Sequence, residues 1–329
     1  MTTATLTELR KAADLVHPLF GPTPQYQWPL LAQRAGLDLW VKHENHTPTG
    51  AFKVRGGLVY LQDYVDGGGV KGLVTATRGN HGQSIAYAAS RMGISTTIVV
   101  PEGNNVEKNN AMKAWGGDLV IHGHDFQAAA EYAASIAEER GLFMLPSFDG
   151  RLVQGVGTYA MELFSAVPDI DRVYVPIGLG SGICGVISAR NALGLKTEVV
   201  GVVSTNATAY QLSFKAGEPV STNTADTMAD GIACRVPVPA AVETICANAA
   251  DVVSVSDAEI KAAMRAYYTD THNVAEGAGA ATLAAVLKDR EVLAGKRVAV
   301  VLTGGNVDAS IYLEALKEPG QEEGATKHA

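Results

Sequence analysis

Short apolar runs alternate with longer alanine-rich segments along most of the chain. Four apolar runs of strand length each predict a buried strand, at residues 73–77, 96–100, 118–122 and 142–146. The three segments between them carry helical patterns and end at glycines, which is typical of helices with a glycine C-cap. This strand–helix–strand repetition predicts a parallel, doubly wound sheet of the α/β class.

The same pattern resumes later, with strands predicted at 172–177, 198–204 and 297–305 and a helix from about Ile183. We therefore expect two lobes, each a mostly parallel sheet flanked by helices. Residues 70–148 would form a small inserted domain, and residues 1–69 and 149–329 a large ligand-binding domain. The cleft between two such lobes is a common ligand site. The polar segment 318–329 is expected to be frayed.

The composition is that of a globular protein: 47% of the 329 residues are hydrophobic, 18% are charged and the formal net charge is -8. The acidic balance argues against a surface for nucleic acid or anionic membranes. No segment approaches the ~20 apolar residues of a membrane span, and the charged N-terminus does not resemble a signal peptide. The cysteines are odd in number and widely spaced, which predicts buried thiols in a reducing cytoplasm. They are Cys184, Cys234 and Cys246.

Two histidine pairs, His43 with His46 and His122 with His124, come nearest to a metal-binding pattern. Neither pair is joined by a cysteine or by a metalloprotease-type helix motif. We therefore expect local hydrogen bonding at these histidines and no metal site.

Four glycine-rich turns follow or adjoin predicted strands, where ligands collect in open α/β sheets. They are TGAFKVRGG around Lys53, TRGNHGQS at 77–84, IGLGSGICG at 177–185 and LTGGNVD at 302–308. The third opens a helix whose free N–H groups and positive dipole end favour a phosphate group. It is not a Walker loop, because no lysine follows it, and it lacks the acidic residue of a dinucleotide fingerprint. Taken alone, these sequences are equally compatible with ordinary turns that connect strands to helices and bind no ligand.

Lys53 is the remaining candidate for covalent chemistry, because no GxSxG elbow is present and no cysteine lies in a nucleophile setting. A lysine amine reacts only when neutral, and burial lowers its pKa. A buried lysine beside a phosphate cradle suggests pyridoxal phosphate held as a Schiff base. A non-catalytic sensor of a phosphorylated ligand would not need Lys53, and a nicotinamide dehydrogenase would need the missing acidic residue.

The motifs follow the order found in the threonine/serine dehydratase and serine racemase family, the fold-type-II pyridoxal phosphate enzymes. TPTGAFKVRGG resembles the lysine motif of that family, TRGNHGQS its asparagine loop and GLGSG its phosphate loop. Three further segments are similar to its remaining motifs: ADGIACRVP at 229–237, EGAGAATLAA at 276–285 and LTGGNVD. The resemblance extends from about residue 18 to 308. It implies a two-lobed fold like that of tryptophan synthase β, with pyridoxal 5′-phosphate as cofactor and a homodimeric assembly.

The resemblance also implies the roles of individual residues. Lys53 would form the Schiff base, and Phe52 would lie beside the cofactor ring. Asn80 would bind the 3′-oxygen of the cofactor, and Thr303 would face its pyridine nitrogen. Backbone N–H groups would bind the phosphate, from Gly178, Gly180, Ser181, Gly182 and Ile183. The substrate would contact Thr77, Arg78, Gly79 and His81.

The implied reaction is β-elimination by an ammonia-lyase. A neutral Thr303 does not enforce a protonated pyridine as an aspartate would, so expulsion of a β-leaving group is favoured. Lys53 would remove the α-proton of a β-hydroxy amino acid such as L-threonine or L-serine. The β-hydroxyl would leave, and hydrolysis would yield a 2-oxo acid and ammonia.

Arg78 departs from the family pattern, which has a serine at this position. In the racemases that serine is the second proton carrier, and an arginine stays protonated. We therefore expect no efficient racemisation. Arg78 is expected to bind a carboxylate, either the α-carboxylate of the substrate or a second acidic group. Two activities therefore remain as alternatives to a threonine or serine ammonia-lyase: a 3-hydroxyaspartate dehydratase and a serine racemase.

Three further features alter the expectations. Val203 and Ala209 occupy positions that carry carboxylates in the metal-activated members, so no divalent cation site is expected. Leu179 interrupts the glycines of the phosphate loop and must point away from the phosphate. The chain length leaves no room for the regulatory domain of biosynthetic threonine dehydratases, so feedback control by isoleucine is not expected.

Overall fold

The fold is taken from a computed structural model, which describes residues 3–69 and 71–317. Its strands form a six-stranded large sheet, ordered β1-β2-β10-β7-β8-β9, and a four-stranded small sheet, ordered β5-β4-β3-β6. The strands are β1 (Gln25–Tyr26), β2 (Asp38–His43), β3 (Leu73–Ala76), β4 (Thr96–Val100), β5 (Asp118–Ile121), β6 (Phe143–Met144), β7 (Arg172–Pro176), β8 (Glu198–Ser204), β9 (Asp251–Val255) and β10 (Arg297–Leu302). Neighbouring strands run parallel except for β1 and β2.

Helices connect and cover the strands of both sheets. They are α1 (Leu6–Phe20), α2 (Pro29–Ala35), α3 (Lys53–Asp66), α4 (Asn80–Arg91), α5 (Val106–Ala114), α6 (Phe126–Arg140), α7 (Gly150–Ala166), α8 (Ser181–Ala192), α9 (Ala209–Ala216), α10 (Pro239–Asn248), α11 (Asp257–Thr271), α12 (Gly277–Asp289) and α13 (Ala309–Lys317). Two short 3-10 turns lie at Glu44–His46 and Asp230–Ile232. Among the described residues, no helix combines the length and the apolar character that crossing a bilayer requires.

Side chains of the large sheet are buried on both of its faces, as expected of parallel strands between helices. In β10, Val298, Val300 and Leu302 belong to one hydrophobic cluster, whereas Ala299 and Val301 belong to another. All five are fully buried. With both faces covered, the open ends of the strands are where a ligand can reach the sheet.

The predicted α/β class with parallel sheets is confirmed. The predicted buried strands are confirmed at β3, β4, β7, β8 and β10, but two others are wrong in burial. β5 and β6 are the edge strands of the small sheet: Asp118 and Ile121 of β5 are exposed, and β6 has only two half-buried residues. Edge strands have one unpaired side, so a sequence run alone does not reveal their exposure.

The cysteines and histidines differ in part from expectation. Cys184 and Cys234 are buried free thiols as predicted, whereas Cys246 is only partly buried on α10. His43 and His46 stack on each other and hydrogen-bond to nearby side chains, as predicted. For the second pair, His122 stacks on Tyr132, and the largely exposed His124 lies 3.8 Å from the carboxylate of Asp125. Neither ring forms the expected local hydrogen bond with a residue that the structure describes. The segment 318–329, predicted to be frayed, lies outside the described residues.

Candidate active site

A cavity of about 620 Å³ lies between the two sheets, where the carboxyl ends of several parallel strands meet. The loops that follow β3, β7 and β10 line it, together with the start of α3. Twelve of the thirteen residues assigned a role from the sequence line this cavity, namely Phe52, Lys53, Thr77, Arg78, Gly79, Asn80, His81, Gly178, Gly180, Ser181, Gly182 and Thr303. The thirteenth, Ile183, is fully buried beneath the loop.

Lys53 is the first residue of α3, and the chain before it is tied to the end of β10. Ala51 forms an isolated antiparallel bridge with Gly304, and the N–H of Phe52 donates to the carbonyl of Thr303 at 3.0 Å. The amine of Lys53 donates to the Ser181 hydroxyl at 2.9 Å and lies 5.0 Å from the centre of the Phe52 ring. These contacts hold the amine inside the cleft.

The environment of Lys53 favours its neutral form. Burial lowers the pKa of Lys53 from 10.5 to about 8, and the nearby carboxylate of Glu276 partly opposes this shift. Such a shift raises the neutral fraction of the amine at neutral pH by roughly two orders of magnitude. Lys53 is half-buried at the wall of the cavity, and its pKa lies closer to neutrality than that of an ordinary lysine.

The loop after β7 can hold an anion through backbone groups. The first N–H bonded within α8 is that of Cys184, which donates to Gly180 at 3.0 Å. The N–H groups of Ser181, Gly182 and Ile183 therefore have no partner within the helix, and the helix dipole adds positive potential. Gly180 has φ +102, a conformation that glycine adopts without strain.

Two features shape the same loop. A Cβ on Gly178 would lie 2.3 Å from the carbonyl oxygen of Gly231, so only glycine fits there. The carbonyl of Leu179 accepts a hydrogen bond from Tyr210 at 2.8 Å, and its side chain packs against the core cluster that contains Tyr210. The side chain of Leu179 thus packs against the core, and Leu179 also lines the cavity.

The loop after β3 and the start of α4 bring five assigned residues to the opposite wall. The hydroxyl of Thr77 accepts hydrogen bonds from the N–H groups of Gly79 and Gly82, at 2.9 and 3.2 Å. These bonds stabilise the conformation of the loop. Arg78 is exposed in the cleft and has no ion pair with any residue that the structure describes. His81 is buried with its Nε2 atom unpartnered among the described residues, and burial lowers its pKa to about 3.

Six charged residues of the cavity were not identified from the sequence, and three of them, Lys108, Asp230 and Glu276, form a cluster. Lys108 pairs with Asp230 at 2.8 Å and with Glu276 at 3.2 Å. Glu276 also accepts a hydrogen bond from the side chain of Asn80 at 2.6 Å. Glu276 opens the EGAGAATLAA segment and Asp230 lies in ADGIACRVP, so the motifs marked two of the segments but not the charged cluster.

The polar residues around the cavity fit pyridoxal phosphate. The unpaired N–H groups at the start of α8 suit a phosphate, and the amine of Lys53 lies within hydrogen-bond distance of the same terminus. Thr303 supplies a neutral hydroxyl at the end of β10, where it is 2% exposed. Val203 and Ala209 are buried apolar residues, and the described residues include no group of three or more side chains suited to a metal ion.

Comparison with known proteins agrees with this donor set. Residues 16–304 match the family of pyridoxal-phosphate dependent enzymes, and the chain belongs to that family. It is 35% identical to an L-threonine ammonia-lyase of Geobacter sulfurreducens, over 84% of this chain and 69% of the relative. Maize serine racemase superposes with a TM-score of 0.89 at 27% identity, over 95% of this chain and 97% of that one. A pyridoxal 5′-phosphate-dependent aspartate racemase superposes with a TM-score of 0.86 at 28% identity, over 93% and 97% of the two chains.

Proposed function

We propose that this chain is a pyridoxal phosphate-dependent ammonia-lyase that converts a β-hydroxy amino acid, such as L-threonine or L-serine, to a 2-oxo acid and ammonia. The observation that carries the proposal is the position of Lys53, whose amine has a lowered pKa and reaches the anion-binding end of α8. The similarity of this chain to an L-threonine ammonia-lyase, over 84% of its length, supports the same reaction and substrate class.

Individual residues take the following roles in this proposal. Lys53 would hold the cofactor covalently in the resting enzyme, and Phe52 would lie beside its ring. Asn80 would donate to the 3′-oxygen, and the hydroxyl of Thr303 would face the pyridine nitrogen. The N–H groups of the α8 loop bind the phosphate, from Gly178, Gly180, Ser181, Gly182 and Ile183. The substrate is held by Thr77, Arg78, Gly79 and His81.

The reaction needs a base beside the substrate Cα, and Lys53 is placed to provide it. When bound, pyridoxal phosphate withdraws electrons from the substrate Cα and so makes the α-proton acidic. The substrate amine would displace Lys53, and the freed neutral amine of Lys53 would accept that proton, while the Ser181 hydroxyl orients the amine. The Cα–H and Cβ–O bonds would break, and the α-proton and the β-hydroxyl together account for the water that leaves. Hydrolysis of the dehydrated product then releases a 2-oxo acid and ammonia.

Arg78 favours a second candidate substrate, 3-hydroxyaspartate. Its guanidinium lies exposed in the cleft, and residues 3–69 and 71–317 offer it no carboxylate partner. A planar guanidinium binds carboxylates through two parallel hydrogen bonds. Either the α-carboxylate or a side-chain carboxylate of the substrate would satisfy it. A racemase is disfavoured, because a guanidinium only donates hydrogen bonds and so provides no second base opposite Lys53.

The domain limits and the assembly are also part of the proposal. Strands β3 to β6 of the small sheet all lie within the proposed inserted domain of residues 70–148, and every strand of the large sheet lies outside it. We propose a homodimer in the cytoplasm, as the family resemblance implies. The three free cysteines are compatible with a reducing compartment. Size-exclusion chromatography with light scattering tests the assembly.

A substrate panel tests the proposed activity. The purified protein with pyridoxal phosphate is assayed for 2-oxo acid release from the D and L forms of threonine, serine and 3-hydroxyaspartate. We expect release from at least one of them and none from Lys53→Ala. The absence of release from every β-hydroxy amino acid would overturn the proposal.

The variant Arg78→Ser separates the two substrate classes. If Arg78 binds a side-chain carboxylate, the variant loses kcat/KM for 3-hydroxyaspartate by roughly 10- to 100-fold, the equivalent of one charged hydrogen bond, and retains it for threonine. If Arg78 binds the α-carboxylate, all substrates lose alike. Unchanged kinetics for every substrate would contradict either role.

A further inference from the structure

A buried cluster of three charges joins the small-sheet side of the cleft to the large-sheet side. Lys108 lies in the first turn of α5, which packs beside the small sheet, and its side chain is 4% exposed. Its amine contacts Asp230 at 2.8 Å and Glu276 at 3.2 Å. Asp230 is partly exposed in a 3-10 turn, whereas Glu276 is buried at the start of α12. The amine of Lys108 therefore has a second carboxylate partner if one is removed.

The second carboxylate oxygen of Glu276 fixes the orientation of Asn80. Its Oε1 atom accepts a hydrogen bond from the Asn80 amide nitrogen at 2.6 Å. The amide oxygen of Asn80 in turn accepts from the Asn306 side chain at 2.9 Å. Because a carboxylate only accepts hydrogen bonds, the amide nitrogen of Asn80 must face Glu276. One N–H of that amide stays available to a ligand in the cavity.

Glu276 is also the acidic group that acts on the amine of Lys53. The amine of Lys53 donates to the Ser181 hydroxyl, and His81 and Glu276 line the same cavity. Burial lowers the pKa of Lys53, and the charge of Glu276 opposes this shift. Asp230 also lines the cavity, where it pairs with Lys108 at 2.8 Å.

We propose that Glu276 is a positioning residue, which Lys108 holds from the small-sheet side, and that it both orients the Asn80 amide and supplies the negative charge facing the Lys53 amine. This inference rests on the proposed function, because it assumes that Lys53 is the reacting amine. Glu276 opposes the effect of burial on the pKa of Lys53, and its contact with Lys108 links Glu276 to α5.

The test measures the reactivity of Lys53 in the protein freed of pyridoxal phosphate. The protein is labelled with limiting acetic anhydride across a range of pH, and modification of Lys53 is quantified by peptide mass spectrometry. In the wild type we expect an inflection near pH 8. In Glu276→Gln the inflection moves down by about one pH unit, which is the effect of one nearby opposite charge, and Lys53 labels several-fold faster at pH 7.

Two variants serve as matched controls. Asp230→Asn removes the other carboxylate partner of Lys108 and is expected to leave the inflection of Lys53 unchanged. Glu276→Asp keeps the charge, so its inflection stays near that of the wild type. Glu276→Asp also provides the test if Glu276→Gln does not accumulate as folded protein, and a shift of about one unit in Glu276→Asp would overturn the inference.

The outcomes distinguish this inference from the proposed function. If Lys53 in the wild type labels like an ordinary exposed lysine, with an inflection above about pH 10, the proposed function loses its main support. If Lys53 is activated in the wild type but Glu276→Gln leaves the inflection in place, only the role of Glu276 is wrong. Equal shifts in Glu276→Gln and Asp230→Asn would also overturn the proposed role of Glu276. They would mean that Glu276 acts only by pairing with Lys108, as Asp230 does.

Discussion

Arg55 is a fully buried arginine, two positions after the candidate catalytic lysine on α3. Its guanidinium forms close ion pairs with Glu44 and Glu162, each 2.6 Å at the nearest approach, and donates to the Thr158 hydroxyl at 3.0 Å. The guanidinium thus ties α3 to α7 and to the turn after β2. A fully buried cation is tolerated only when its donors are satisfied in this way. The network fixes the helix whose first residue is Lys53.

Removing Arg55 is expected to cost far more stability than removing a comparable surface arginine. Arg55→Ala leaves Glu44 buried without its cation, and we expect a loss of about 3–5 kcal/mol in the free energy of unfolding. Arg172→Ala breaks a surface contact in which two guanidinium nitrogens donate to one carboxylate oxygen of Glu198, and we expect a loss below about 1 kcal/mol. Urea unfolding measures both. Equal losses in the two variants would show that burial of the Arg55 network has no energetic weight.

His81 makes the folded state sensitive to mild acid. Its pKa lies at about 3 in the folded protein because burial disfavours the charged ring, against 6.5 in an exposed histidine. Above pH 6.5 the ring is neutral in both states. As the pH falls from 6.5 towards 3, the unfolded chain binds a proton that the folded protein does not, so stability is lost by up to about 1.4 kcal/mol per pH unit.

His81→Asn is therefore expected to reduce the loss of stability on acidification. We compare the free energy of unfolding of the variant and the wild type at pH 7 and pH 5. The loss between these two values should be smaller in the variant by about 2 kcal/mol, because only the wild type titrates at this position. Parallel pH dependence in the two proteins would place His81 in a solvated setting.

Close helix packing around α3 depends on glycines that face backbone atoms. A Cβ on Gly155 of α7 would lie 2.3 Å from the carbonyl oxygen of Arg55, and one on Gly57 would lie 2.1 Å from the Ser84 hydroxyl on α4. α3 can therefore approach both neighbouring helices closely. This approach places Lys53 at the cleft and brings Arg55 to its carboxylates.

Two glycines of α7 offer a matched test of this packing. A Cβ on Gly155 would clash with backbone atoms of α3. One on Gly157 would clash with the Cδ2 atom of Leu9, the end of a flexible side chain, and would lie at an ordinary contact distance of 3.4 Å from the Gly185 carbonyl oxygen. We expect Gly155→Ala to lower the free energy of unfolding by about 1–3 kcal/mol more than Gly157→Ala, because backbone cannot move aside. Thermal or urea unfolding measures the difference. Similar free energies of unfolding for the two variants would mean that α3 and α7 can move apart at little energetic cost.

The sequence predicts the central strands well and the marginal strands poorly. β3, β4, β7, β8 and β10 are apolar because helices cover both of their faces, so their letters alone identify them. β2, with the sequence DLWVKH, was not predicted, because Lys42 and His43 interrupt its apolar pattern. The structure shows why they are tolerated: Lys42 is fully buried and pairs with Glu162 at 2.6 Å. Burial of charged groups in pairs is a tertiary property that periodicity does not carry.

The candidate site assembles from loops of both sheets, and the sequence predicts its parts better than its charges. Glycine-rich turns after strands identified the loops that line the cavity, because a few neighbouring residues in the sequence are enough to specify each turn. The cluster of Lys108, Asp230 and Glu276 joins three distant segments, and no short motif contains it. Its members were detectable only once the fold had brought α5 against the start of α12.

Trapping the cofactor on the protein tests most directly that Lys53 is the reacting amine of the cleft. The purified protein is incubated with pyridoxal phosphate, reduced with borohydride and digested, and the modified peptide is identified by mass spectrometry. We expect the reduced pyridoxyl group on Lys53, and no specific label in Lys53→Arg. A label on another lysine with Lys53 unmodified, or no label on the folded wild-type protein, would contradict the assignment of this cleft as the active site.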